Sequence, residues 1–436
     1  MTSLDQPRDF GFETRQLHAG QRPDPNTGAR AVPIFQTTSY VFEDPESAAA
    51  YFNLQEYGNT YSRIMNPTVA VFEERVANLE GGAGGVAFAS GIAAQAAALF
   101  TLLQPGDHVV SSSALYGGTV NQLKHLLRKM NVSLSWVDPD DPAAWRSSVR
   151  PETKAFFAET IGNPAGNVLD IASVAAVAHE HDIPLIVDNT FATPYLCRPI
   201  EWGADIVIHS ATKFIGGHGT SIGGVVVEAG TFNWSNGRYP VIADPSPAYH
   251  GLQFHETFGT YGYLMKLRAE TLRDLGGALS PFNAFLFLQG LETLSLRMER
   301  HVANAAAVAS FLSSHPLASN VTYPGLPGRY EALVEKYLPR GAGAVFSFDV
   351  AGGREGGQNL IRGVSLWSHL ANVGDAKSLI IHPASTTHRQ LSDAELQSAG
   401  VGPGTVRLSV GTESVDDLIW DLEQAFKLVA SSGGAE

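Results

Sequence analysis

Apolar positions along this chain fall into two alternating rhythms. Short runs dominated by aliphatic and β-branched residues occur at Val86–Ala89, Val109–Ser112, Ser133–Val137, Ala155–Glu159, Leu185–Asp188, Ile206–Ile208 and Val225–Val227, and each reads as a buried strand. Between them lie stretches of helical character: an Ala-rich one through Ala93–Leu103, then about Thr119–Lys129, Pro142–Ser148 and Ile171–His181. Ahead of the first strand, Val71, Phe72, Val76 and Leu79 mark a helix that Asn66 or Thr68 can cap. Strands separated by helices predict a mostly parallel α/β sheet covered on both faces. Phe285, Leu288, Leu291, Leu294 and Met298 predict one long amphipathic helix that ties two units together. From about residue 302 the pattern restarts as a smaller C-terminal α/β unit, with strands Ala344–Val350, Ser378–His382 and Val406–Val410 and a closing helix Val415–Leu428.

The remaining segments lack either rhythm. Residues 1–65 are rich in turn formers and aromatics and read as an N-terminal arm that packs on a neighbouring subunit. Between about 228 and 281 runs an aromatic-polar segment with Trp234, Tyr239, Tyr249, Phe254 and Tyr261, expected to be an insertion over the sheet or a subunit contact. The expected organisation is thus an arm at 1–65, a large domain at 66–290 and a smaller domain at 291–436.

Composition narrows the classes of partner. With 436 residues, 44% hydrophobic and 17% charged, the chain has the make-up of a soluble globular protein. A net charge of −14 disfavours nucleic acid or an anionic membrane. The first residues lack a basic segment followed by an apolar core, and no apolar run reaches bilayer length, so a cytoplasmic protein is expected. Cys197 is the only cysteine, which rules out an internal disulfide and a cysteine-based zinc cluster; the histidines show no metal-ligand spacing, and no metal is expected.

Candidate chemistry concentrates in Ala204–Gly224, ADIVIHSATKFIGGHGTSIGG. Lys213 follows a strand there, with Ser210 and Thr212 beside it, and strand ends in an open α/β sheet face the ligand crevice. Upstream, the apolar run Pro184–Val187 ends in Asp188. Read alone, Lys213 is equally a surface lysine in a Gly-rich loop and Asp188 a cap or turn residue. Read together they match the needs of pyridoxal phosphate, whose aldehyde forms a Schiff base with a lysine and whose ring nitrogen pairs with a carboxylate. Ser90-Gly91-Ile92 lies between a strand and a helix, where free N–H groups and the helix dipole favour a phosphate. The glycines at 81–85 precede a strand, the wrong order for a dinucleotide fingerprint. Tyr61 and Arg63 can bind phosphate or serve a solvated ion pair. Tyr116 and Asn163 each follow a strand end, one as a ring that can stack on a planar cofactor and the other as a hydrogen-bonding partner, or else as ordinary turn residues. Arg407 sits within a strand, either exposed or as a clamp for a carboxylate.

With these pieces together the chain resembles the cysteine/methionine-metabolism family of pyridoxal-phosphate enzymes. The likeness is carried by Ser210-Ala211-Thr212-Lys213 with Gly216-Gly217-His218, and by Val187-Asp188-Asn189-Thr190. It implies the aspartate-aminotransferase type of fold (fold type I), with Lys213 as covalent anchor and proton carrier and Asp188 as ring-nitrogen partner. It further implies that Ser90, the Gly91 and Ile92 amides, Ser210 and Thr212 hold the phosphate. Tyr61 and Arg63 would reach it from a neighbouring subunit, with Tyr61 also near the substrate. Tyr116 would stack on the ring and assist proton transfer, Asn163 would contact cofactor and substrate, and Arg407 with Ser378 would hold the substrate carboxylate. Shared sites imply a homo-oligomer, expected to be a tetramer built from dimers. The stretches 58–68 and 372–388 look most like the branch of the family that acts on O-acetylhomoserine with sulfide or methanethiol. Cystathionine γ-synthesis, sulfhydrylation of O-succinylhomoserine and γ-elimination are further reactions of the same scaffold. Methionine γ-lyases of the family typically carry a cysteine in the turn after the stacking tyrosine, where this chain has Gly118, which argues against that lyase.

Overall fold

The computed structural model describes residues 9–386 and 401–432. Of the stretches singled out above, Thr387 and His388 lie outside the described residues.

Seven strands form the larger sheet: β1 (Gly84–Phe88), β2 (His108–Ser112), β3 (Ser133–Val137), β4 (Thr153–Glu159), β5 (Leu185–Asp188), β6 (Ile206–His209) and β7 (Gly224–Glu228). Their spatial order is β1-β7-β6-β5-β4-β2-β3. The β3-β2-β4-β5-β6 ladder is parallel, whereas β7 runs antiparallel to both β6 and β1. Side chains alternate between the two faces, as a pleated strand requires. Leu185 and Val187 enter one apolar cluster and Ile186 the other; Val207 enters the first, Ile206 and Ile208 the second. The parallel strands are apolar on both sides because helices cover both faces.

Those helices begin and end where local chemistry stops the chain. Helix α1 (Pro67–Glu80) is capped by Asn66, whose side-chain oxygen accepts from Thr68 N at 3.0 Å, and ends at Gly81 in the left-handed region. Helix α2 (Gly91–Leu102) is capped by the Ser90 hydroxyl, which accepts from Ala93 N at 3.1 Å. Helices α3 (Gly117–Gln122), α4 (Pro142–Ser147) and α5 (Ile171–His179) follow β2, β3 and β4. The aromatic segment after β7 packs over the sheet: Trp234, Tyr239, Phe254 and Tyr263 are buried in the cluster shared with α2. Trp234 stacks on Tyr263 at 5.1 Å and donates to Glu228 at 2.6 Å.

The single long helix expected around residues 285–298 is two, α6 (Pro281–Leu291) and α7 (Leu294–Ser314). The break has a visible cause. The Gly290 carbonyl is drawn out of the helical ladder by the Arg297 guanidinium at 2.7 Å and by Thr293 N at 3.3 Å. Within residues 1–65 the structure forms short helices at Phe12–His18 and Pro45–Phe52. Phe12 is buried edge-on against Tyr195 at 5.2 Å, so the start of this segment packs on its own chain.

The smaller sheet has the order β10-β11-β12-β9-β8, with β8 (Ala318–Ser319), β9 (Val345–Val350), β10 (Ser368–His369), β11 (Leu379–Ile381) and β12 (Thr405–Ser409). Strand β12 is antiparallel to β9 and β11, which sets Arg407 opposite Ser347 and Ile381. Helices α8 (Gly353–Gly363) and α9 (Val415–Ser432) pack on one another beside it. Among the described residues no helix is long and apolar enough to cross a membrane, and no cluster of His, Cys, Asp and Glu is arranged to hold a metal.

Beneath the strand ends lies a fully buried polar knot. The Glu80 carboxylate, at the end of α1, accepts from His209 Nε2 at 2.5 Å and from Asn189 Nδ2 at 2.8 Å; Asn189 in turn accepts from the Thr160 hydroxyl at 2.8 Å. Replacing Glu80 with Ala strips an acceptor from two buried donors, so Glu80→Ala should lower unfolding stability by about 3 kcal/mol in chemical denaturation. A loss below about 1 kcal/mol would contradict this account of the knot.

Candidate active site

The carboxyl ends of β2, β4, β5 and β6, the start of α2 and the strand β12 converge on one cavity of about 270 Å³. Its wall includes Ser90, Gly91, Ile92, Tyr116, Asn163, Asp188, Ser210, Thr212, Lys213 and Arg407. Ten of the residues singled out from the sequence therefore share one wall. Ligand crevices form at strand ends in this way because the loops there are free of the ladder.

Lys213 stands in the turn that follows β6. Its amine donates to Asn372 Oδ1 at 2.5 Å. Burial pulls its pKa down to about 8, with the nearby Arg407 charge acting in the same direction. Asp188 closes β5. Thr190 donates to its Oδ1 twice, from N at 2.9 Å and from the hydroxyl at 2.5 Å, while the same hydroxyl accepts from Ser210 N at 2.8 Å. This Asx turn therefore connects the Asp188 strand to the Lys213 segment. Burial raises the Asp188 pKa, opposed by the Thr190 hydrogen bonds and by His209. Opposite Asp188 in the β4–β5 register is Glu159, whose carboxylate accepts from Tyr116 N at 2.7 Å. Burial, and then Asp188, raise its pKa well above the usual value.

On the other side, among the described residues the Arg407 guanidinium makes long hydrogen bonds, to Asn163 Oδ1 at 3.4 Å and the Asn372 carbonyl at 3.5 Å. Burial lowers its pKa and no carboxylate offsets it. The Tyr116 ring is half exposed on the wall, and Phe191, Ile222 and Val373 supply apolar surface.

These residues suit an anionic, ring-bearing cofactor. Asp188 and Glu159 share the wall with Lys213 and Arg407, but no ion pair joins the two sides among the described residues, so a ligand with a cationic ring nitrogen and anionic groups can pair with both. At the phosphate end, Gly91 opens α2 directly against Ser210; a Cβ at Gly91 would lie 2.6 Å from the Ser210 Cβ, so only glycine lets the helix N-terminus come this close. The hydroxyls of Ser210 and Thr212 border the same corner.

Three residues named from the sequence stand elsewhere. Tyr61 is partly exposed and Arg63 lies over its ring at 5.6 Å, its guanidinium donating to the Arg273 carbonyl; neither borders this cavity. The Ser378 hydroxyl is buried, donating to Glu413 Oε2 at 2.9 Å and accepting from Gly411 N at 2.8 Å, and it does not border the cavity either. The sequence reading in turn assigned no role to Asn372, Glu159 or Thr190. Thr190 carried a usable signal, a hydroxyl two residues after a strand-end acid. For Asn372 none exists, because its contact to Lys213 spans 159 positions.

Comparison with known proteins adds three findings. The family described as Cys/Met metabolism PLP-dependent enzyme matches residues 13–427. Among curated relatives, the chain is 52% identical to an O-acetyl-L-homoserine sulfhydrylase of Leptospira meyeri, covering 97% of this chain and 98% of that one. It is likewise 52% identical to a homocysteine synthase of Schizosaccharomyces pombe, covering 96% and 98%. A crystal structure of a putative O-acetylhomoserine (thiol)-lyase of Campylobacter jejuni, containing N'-pyridoxyl-lysine-5'-monophosphate, superposes with a TM-score of 0.92 at 43% identity, covering 96% and 100%.

The depressed Lys213 pKa fixes the sign of one pH dependence. The amine is protonated and unreactive below about pH 8 and neutral above it. The rate at which cofactor-free protein captures pyridoxal phosphate, followed by visible absorbance, should therefore rise between about pH 7 and 8.5 and level off above it. A rate that climbs only above about pH 10 would mean that the amine is not desolvated.

Proposed function

We propose that this chain, which belongs to the Cys/Met metabolism PLP-dependent enzyme family, replaces the acetyl ester of O-acetylhomoserine with sulfide or methanethiol. The C–O bond at the γ-carbon breaks, acetate leaves with the bonding pair, and a C–S bond forms, giving homocysteine or methionine. The observation that carries this reading is the meeting of Lys213, Asp188, the α2 N-terminus and Arg407 in one cavity of a chain so similar to O-acetylhomoserine sulfhydrylases over its full length.

Pyridoxal phosphate, when bound, supplies an electron sink for charge that develops on the substrate carbons. The protein's part is to hold, orient and move protons. Lys213 anchors the cofactor aldehyde and, once displaced by the substrate amine, carries the proton at the α-carbon; a pKa near 8 gives it a neutral fraction at working pH. Asn372 Oδ1 restrains that amine. Asp188 pairs with the ring nitrogen, and Thr190 fixes its carboxylate. Ser90, Gly91, Ile92, Ser210 and Thr212 take the phosphate through amides, hydroxyls and the helix dipole. Tyr116 stacks on the ring and assists proton transfer, Asn163 meets its hydroxyl edge and the substrate, and Arg407 binds the substrate carboxylate in paired hydrogen bonds.

We assign the large sheet with α1–α6 to a cofactor-binding domain, the smaller sheet to a substrate-side domain, and the first 65 residues to an arm that serves a second copy. The position of Tyr61 and Arg63 away from their own chain's cavity supports this, as do Val41 and Phe52, fully and largely exposed in the arm. Each site then takes Tyr61 and Arg63 from its neighbour, in a homotetramer of dimers acting in the cytoplasm. Ser378 serves the substrate carboxylate indirectly, by fixing the end of β12 through Gly411.

Purified protein should form homocysteine from O-acetylhomoserine and sulfide, and Lys213→Ala should lose at least about a thousandfold in rate. Faster turnover of the succinyl ester, or with cysteine as nucleophile, would move the assignment to a sister reaction. Mixing inactive Lys213→Ala with inactive Arg63→Ala after dissociation and reassociation should restore about one quarter of parental activity, because half of the dimers then hold one intact site. No recovery in the mixed assembly would sink the shared site.

A further inference from the structure

The mechanism above needs Lys213 and Arg407 at a fixed separation, yet they stand on different sheets. Helix α7 passes behind both. Arg297, His301 and Asn304 are spaced four and three apart, which puts them on one face of the helix. All three are buried in an otherwise apolar helix–sheet contact that includes Leu294, Met298 and Ala305.

Each sends a donor to a main-chain carbonyl within a few residues of Lys213 or Arg407, Arg297 also donating to Gly290 O and the Thr293 hydroxyl within its own helical region. The Arg297 guanidinium donates to Phe214 O at 2.7 Å and Ile215 O at 3.2 Å, the two residues after Lys213. Its charge meets no carboxylate, and burial lowers its pKa to about 10. The His301 ring donates from Nδ1 to Val410 O at 2.7 Å and stands edge-on to Phe214 at 5.2 Å, so it touches both segments. Asn304 donates from Nδ2 to Gly411 O at 3.0 Å and Glu413 O at 2.9 Å, just past the end of β12. The loop at 372–378 bridges the two segments, Ala376 donating from N to Gly217 O at 2.8 Å and accepting at O from Thr412 N at 2.8 Å. A Cβ on Gly374 would come within 2.9 Å of the Lys213 carbonyl carbon, so this approach leaves no slack.

Capping stray carbonyls would explain one such residue. It does not explain three on one face, each aimed at the chain just beyond Lys213 or Arg407.

We propose that Arg297, His301 and Asn304 are positioning residues for the reaction, holding the turn that carries Lys213 in register with the strand that carries Arg407. The proposal rests on the reading of Arg407 as the carboxylate clamp. A misplaced clamp costs substrate binding first, since the phosphate cradle and Asp188 lie on the large sheet and are untouched.

The test uses holoenzyme and L-2-aminobutyrate, an amino acid without a leaving group, whose dissociation constant is read from the visible spectrum without turnover. His301→Leu and Asn304→Asp should each weaken its binding about tenfold and raise KM for O-acetylhomoserine by a similar factor, with kcat within about threefold of the parent. His301→Asn, which keeps a donor at the place of Nδ1, should bind as the parent does. The His301 pair decides the matter should Asn304→Asp fail to fold. Arg407→Ala is the control. If it loses binding while His301→Leu stays within about twofold of the parent, the positioning role is overturned and the clamp stands. If His301→Asn loses as much as His301→Leu, the donor is irrelevant and the proposal again fails. Parental binding by Arg407→Ala would remove the clamp itself and the proposal with it.

Discussion

The site depends on one buried carboxylate that never touches the cavity. Glu80 ends α1 beneath the sheet, where it receives hydrogen bonds from His209, the last residue of β6, and Asn189, the first after β5. Asp188 and Ser210 are the neighbours of those two donors. A single acceptor thus fixes how far the Asp188 strand end stands from the Lys213 turn, in a dry interior where an unmade hydrogen bond is expensive. Thr190 repeats the link one layer higher, joining Asp188 to Ser210 N. Two layers of hydrogen bonding place the reactive pair, and neither depends on a ligand.

Above that base the electrostatics are deliberately incomplete. Glu159 and Asp188 are paired neighbours on adjacent strands, and burial drives the pKa of both upward. Burial lowers the pKa of both Lys213 and Arg407, and the Arg407 charge depresses Lys213 further. Such a cavity binds by completing its own charges, which is how an acidic chain of net charge −14 accommodates an anionic cofactor. Tyr116 and Asn163 then act as walls, and the buried Glu159 carboxyl holds the loop that carries Tyr116.

Much of this was legible in the sequence because it is local. The strand ends at Asp188 and His209, the Asn66 cap and the alternation of apolar runs are all carried by neighbours a few residues apart, and periodicity reads them well. The division of α6 from α7 was not legible. Leu291, Leu294 and Met298 keep helical spacing across the break, which comes from Arg297 reaching back to Gly290. Asn372 and Glu80 escaped for the same reason: each acts across a span of more than a hundred residues, where no periodic pattern exists. Tyr61 and Arg63 carry a motif read as serving a neighbouring subunit, and neither borders the cavity of its own chain.

The cavity wall is of two kinds. Asp188, Lys213 and Arg407 are tied into hydrogen-bonded backbone on several sides, whereas Ile222 contributes only apolar surface at the mouth and is 61% exposed. Exchanging an aliphatic group at a half-open rim disturbs no buried polar partner and costs little stability. The rim is therefore the part of the cavity where a different leaving group or nucleophile can be accommodated while the proton chemistry beneath it is left undisturbed.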